Sequence, residues 1–127
     1  MTPFNLDNMI DRQKFNDSFQ YYDKETILGI IDLFEKELPG RFEKIRKDIL
    51  ENDFDALAFN IHSLKSVSGL FMASEQSELA GKMEEMAISR NNQGLQEIYT
   101  KLKSFTEELL RELIIIREEL SCSDTPT

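Results

Sequence analysis

Apolar residues recur along nearly the whole chain at intervals of three and four, the spacing that places side chains on one face of an α-helix. Leu6, Met9, Ile10 and Phe15 predict a short N-terminal helix over 7–15. Ile27, Ile30, Ile31, Phe34 and Leu38 form the next stripe, with Asp23 as its N-cap and Glu25 in its first turn. Pro39-Gly40 interrupts that stripe, and Phe42, Ile45, Ile49 and Leu50 resume it. One long kinked helix and two short ones both fit. Asp53 caps the next main segment, over 54–72, whose inward residues are Phe54, Leu57, Ile61, Leu64 and Phe71. Ser74 is the expected cap of a helix over 75–90, with Glu75 and Glu78 near its positive end and Met83 and Met86 as core filler. Asn91-Asn92-Gln93-Gly94 has loop composition. Leu95, Ile98, Leu102, Phe105, Leu109, Leu113 and Ile116 mark the last helix, over 95–120. No strand-like alternation of useful length occurs. Main helices joined by short turns must run up and down, so the expected fold is all-α: an antiparallel four-helix bundle with an additional short N-terminal helix. The chain divides into an N-terminal extension (1–22), the bundle (23–120) and a polar C-terminal tail (121–127).

Length and charge narrow the function classes. At 127 residues the chain is large enough for one domain with a real core. Its formal charge of −9 repels nucleic acid and anionic membrane surfaces, so neither is an expected partner. The single cysteine, Cys122, allows no disulfide framework and no Cys/His metal cluster. The start, Met1-Thr2-Pro3-Phe4-Asn5-Leu6-Asp7, lacks a signal-peptide layout, and no stretch has the apolar length of a membrane span, so a cytoplasmic location is expected. Glycine-rich phosphate loops are absent, which argues against an ATP-binding kinase domain. Glu84-Glu85 and Glu107-Glu108 are expected to be solvated faces, with no histidine beside them to build a metal site. The dense patch Leu113-Ile114-Ile115-Ile116 either seals the bundle against the N-terminal helix or forms a dimer seam; a monomer is expected.

The one histidine, His62, carries the distinctive chemistry. It lies beside the apolar stripe of its helix, with Lys65, Ser66 and Gly69 on its own side at three, four and seven residues. An imidazole is substantially uncharged near neutral pH and can accept a phosphoryl group on a ring nitrogen and hand it on. An ammonium one turn away offsets charge on phosphoryl oxygens. Ser66 and Gly69 leave space for a partner to close over the ring, and Phe59 offers that partner an apolar contact unless it belongs to a wider core stripe.

Residues 53–87 resemble the centre of a histidine-containing phosphotransfer (HPt) domain of two-component phosphorelays. His62-Ser63-Leu64-Lys65 matches the family's His-x-Leu-Lys run; Gly69, Phe71 and Ala73 match its following Gly, apolar and Ala positions; Leu79-Ala80 and Met83-Glu84 match its second helix. The resemblance implies that His62 is the phosphoacceptor and Lys65 the supporting cation. It implies docking through the surface that includes Phe59, Ser66, Gly69 and Met72. It also implies response-regulator receiver domains or a hybrid histidine kinase as partners, with no cofactor of its own and Mg²⁺ on the receiver. Such a chain is a phosphohistidine carrier more than an autonomous enzyme. The sequence departs from the family at Ile61, where a small residue often precedes the histidine, at Ser66 and Met72, which replace common glycines, and at Gln76, which occupies a usually apolar place. The departures leave an alternative open: a non-catalytic helical module that binds a signalling partner independently of phosphate. A fragment of a chemotaxis-type histidine kinase would need further nucleotide-binding and dimerisation domains.

Overall fold

The computed structural model describes residues 9–122. Five helices follow one another: α1 (Arg12–Phe19), α2 (Lys24–Leu50), α3 (Phe54–Gly69), α4 (Ser74–Ile88) and α5 (Leu95–Cys122). No strand occurs among the described residues. α2 packs on α3 and on α5, and α4 packs on the same two, so these four helices close a ring around one core. Phe34, Ile31, Ile45, Leu57, Ile61, Leu64, Met83, Leu102, Leu109 and Leu113 fill it, all essentially without solvent contact.

Short polar side chains set the helix starts. Asp23 accepts a hydrogen bond from the Thr26 amide at 2.7 Å, and Asp53 accepts one from Ala56 at 3.2 Å, as the capping pattern predicts. α2 passes through Pro39-Gly40 as a single helix. Proline there has no amide hydrogen to donate one turn back. Continuity comes from the buried residues on both sides, Leu38 and Phe42, which belong to one core face.

Helix boundaries differ from the sequence expectation at both ends of α1 and α4 and at the C-terminal ends of α3 and α5. The N-terminal helix begins at Arg12 instead of residue 7, because Asp11 caps it by accepting hydrogen bonds from the Gln13 and Lys14 amides at 3.1 Å each. Met9 and Ile10 lie outside it, and their amides donate to the Glu112 carboxylate of α5 at 2.5 and 3.0 Å. Leu6 lies outside the described residues. α3 ends at Gly69 instead of 72, since Met72 adopts φ 60°, a left-handed conformation that stops a helix. Ser74 is the first residue of α4 and does not cap it; Ala73 holds the cap position without a side-chain bond. That helix stops at Ile88, with Arg90 at φ 58°. Finally, Ser121 and Cys122 belong to α5 and not to a polar tail, because no breaker intervenes after the half-buried Leu120.

The N-terminal helix is part of the same core. Phe15 and Phe19 are buried, and Phe19 stacks 6.4 Å from Phe71, which in turn meets Phe34 edge-on at 5.2 Å. Ile116 of the dense α5 patch is buried and shares a groove with Phe15 and Phe19, whereas Ile115 points to solvent.

Candidate functional site

The site is built on the α3–α4 pair, the most extensive helix contact in the molecule. Ala73 at the cap of α4 and Ala80 and Ala87 within it recur every seven residues on its buried side, together with Gln76 and Met83. Small side chains on an inward stripe let helices approach closely. Gln76 is fully buried at its unusual position and donates to the Thr106 hydroxyl of α5 at 3.1 Å.

On α3, Leu57, Ile61 and Leu64 are buried, which turns the intervening residues outward. Phe59 is 71% exposed, and the His62 side chain is 61% exposed. Ser66 and Gly69 are exposed on the same side as His62. A Cβ added at Gly69 would meet nothing within 4 Å, so internal packing does not require glycine there. Met72 is half-buried in the turn that follows. Its left-handed φ of 60° is a conformation that glycine takes without a steric penalty and a residue with a side chain does not.

A residue absent from the expected set completes the site. Glu84 of α4, whose side chain is only 17% exposed, accepts from the Lys65 ammonium through Oε1 at 2.8 Å and contacts His62 Nδ1 through Oε2 at 2.9 Å. The expectation that Glu84 is a solvated residue without a neighbouring histidine is therefore overturned. Lys65 and Glu84 are not both free to meet a ligand; they form one chain, Lys65–Glu84–His62. The Lys65 bond, with a smaller contribution from His62, holds the Glu84 carboxyl below its ordinary value of 4.5 against the opposing effect of burial. Helical periodicity cannot reveal a partner on the next helix. Distance from the turn can: His62 and Glu84 lie about equally far on either side of the α3–α4 turn, as do the ion-paired Asp55 and Arg90.

With Nδ1 held by Glu84, Nε2 has no hydrogen-bond partner among the described residues. A neutral imidazole that donates from Nδ1 carries its lone pair on Nε2, the outward nitrogen. Among the described residues no three His, Cys, Asp or Glu side chains gather as a metal site requires. No helix among them is long and apolar enough to cross a membrane.

The model of one protein family, the Hpt domain, matches residues 29–119, well over half of the chain. The chain belongs to the Hpt-domain family. Hpt domains are phosphotransfer modules of two-component systems that engage receiver domains and histidine kinases. No curated protein and no solved structure matches the chain. The matched span contains α3 and α4 entire, and with them every member of the Lys65–Glu84–His62 chain.

Proposed function

We propose that this Hpt domain relays a phosphoryl group between aspartates of receiver domains through a phosphohistidine at His62. The observation that supports this most is the tethered ring: Glu84 holds Nδ1 while the outer nitrogen faces solvent. In the forward step the Nε2 lone pair attacks the phosphorus of a phospho-aspartate in line. The N–P bond forms as the P–O bond breaks, and the aspartate carboxylate leaves with the electron pair. The Nδ1 proton stays hydrogen-bonded to Glu84, whose negative charge offsets the positive charge that develops on the ring. Lys65, held beside the ring by the same carboxylate, offsets charge on the phosphoryl oxygens. Mg²⁺ and further stabilisation belong to the receiver. Transfer onward is the reverse step on a second receiver. Phe59, Ser66, Gly69 and Met72 form the docking surface of this reading, and it includes an antiparallel up-and-down order of α2 to α5 in a monomeric, cytoplasmic carrier. Partners that run in opposite directions support that order: Arg117 meets Asp32 and Glu35, while Tyr99 meets Phe42.

The test is phosphotransfer from phosphorylated receiver domains of the source organism to the wild-type chain and to His62→Gln. The wild type should acquire acid-labile, base-stable label, and the variant none, with its helical signal and thermal midpoint retained because the ring is exposed. Label on His62→Gln would place the acceptor elsewhere. Undiminished receiver binding with no label on the folded wild type would favour the phosphate-independent binding module, the reading that the Ser66 and Met72 departures suggest.

A further inference from the structure

The acidic balance of the chain is not evenly spread. On α2, Lys36, Gly40, Lys44 and Lys47 follow one another at helical spacing and are all exposed, so they form one stripe. Lys36, Lys44 and Lys47 make no ion pair with any described residue, whereas Arg41 beside them is held by Glu37 at 3.3 Å. Lys36, Gly40, Lys44 and the Glu37–Arg41 pair, whose charges cancel, line an open groove whose opposite wall on α3 is Phe59, Asn60 and Ser63. His62 itself does not line the groove, but Phe59, one turn before it on α3, and Ser63, the residue after it, do, so the groove and the exposed imidazole share one helix.

Two features of the groove have no use inside the molecule. Glycine in a helix interior costs about 1 kcal/mol relative to alanine, yet a Cβ at Gly40 would meet nothing within 4 Å. Its missing side chain leaves the groove floor open between Lys36 and Lys44. The Phe59 ring is 71% exposed and makes no ring contact with another aromatic among the described residues.

We propose that the lysine-lined α2–α3 groove docks an acidic stretch of the receiver-domain surface, bordering the phospho-aspartate, while Phe59 takes an apolar contact at its edge. This rests on the phosphotransfer reading and adds to it what selects the partner. A protein fits better than an extended polyanion. The stripe from Lys36 to Lys47 spans about 16 Å, the scale of a surface patch, and the net charge of −9 repels a nucleic acid or anionic bilayer beyond it. Exposed lysines at the rim of an interface act mainly on encounter rate and salt dependence.

The experiment measures binding of unphosphorylated receiver domains of the source organism to the wild type, to Lys36→Glu/Lys44→Glu, and to Lys101→Glu/Lys103→Glu. The last pair makes the same change in net charge on the α5 surface. At low salt the groove variant should bind at least tenfold more weakly, chiefly through a slower association rate, and the α5 variant should bind within twofold of wild type. The gap should shrink several-fold at high salt. Equal weakening by both variants, or none by either, overturns the proposal while leaving the phosphotransfer reading intact. A wild type that binds no receiver overturns both. Binding of the wild type to DNA or to vesicles rich in anionic phospholipid, lost in the groove variant alone, overturns the assignment of a protein partner.

Discussion

α5 and α3 are built from similar residues and use their surfaces in opposite ways. α5 has a continuous inward stripe from Leu95 to Ile116 and ties its charges to neighbours: Arg111 to Glu108, Lys103 to Glu107, and Arg117 to Asp32 and Glu35 on α2. α3 buries Leu57, Ile61 and Leu64 just as completely but leaves Phe59, Ser66 and Gly69 unpaired on the outside and holds His62 by one nitrogen only. α3 keeps part of its surface unsatisfied, and Glu84 of the neighbouring helix holds its histidine in place.

That contrast can be broken by substitution. Leu109→Ala on α5 should destabilise the bundle by about 2–5 kcal/mol, since it leaves a cavity in a fully buried layer. Chemical denaturation checks it, and a loss below about 1 kcal/mol would mean that α5 is not the structural helix described. Glu84→Gln should have an intermediate effect of about 1 kcal/mol at neutral pH, the scale of a partly exposed charge pair. Its pH dependence has a definite sign. The folded carboxyl titrates below its ordinary 4.5, so the stabilisation is present above that value and is lost as pH falls through the folded pKa. The wild type and Glu84→Gln should therefore differ in stability at pH 7 and converge in acid; a gap that widens in acid would contradict the Lys65–Glu84–His62 chain. Phe59→Ala should change stability least, by less than about 0.5 kcal/mol despite the loss of a whole ring, while weakening receiver binding. Unfolding on that substitution would put Phe59 in the core.

Much of this was legible from the pattern of residues. The apolar stripes located every main helix, Asp23 and Asp53 marked two starts, and the offset of His62 from the line of Leu57, Ile61 and Leu64 put it at the surface. Periodicity describes one helix at a time, which is why Glu84 was missed: its role depends on how closely the alanine stripe of α4 lets it approach α3. The ends of α1, α3 and α4 were misplaced for a different reason. Competing caps such as Asp11, and left-handed residues such as Met72 and Arg90, are decided by local backbone geometry that composition does not encode.

The contact between Phe19 and Phe71 has a practical consequence for anyone trimming this domain. The family match begins at residue 29, inside α2, and leaves out α1 and the Asp23 cap. A chain cut to those limits would lose the aromatic ring that covers Phe71, the residue immediately before Met72, and would open a new greasy surface beside the α3–α4 turn. Its solubility, its partner preference and its transfer rates would then describe the truncation, so the shortest faithful version of this module is longer than the stretch that defines its family.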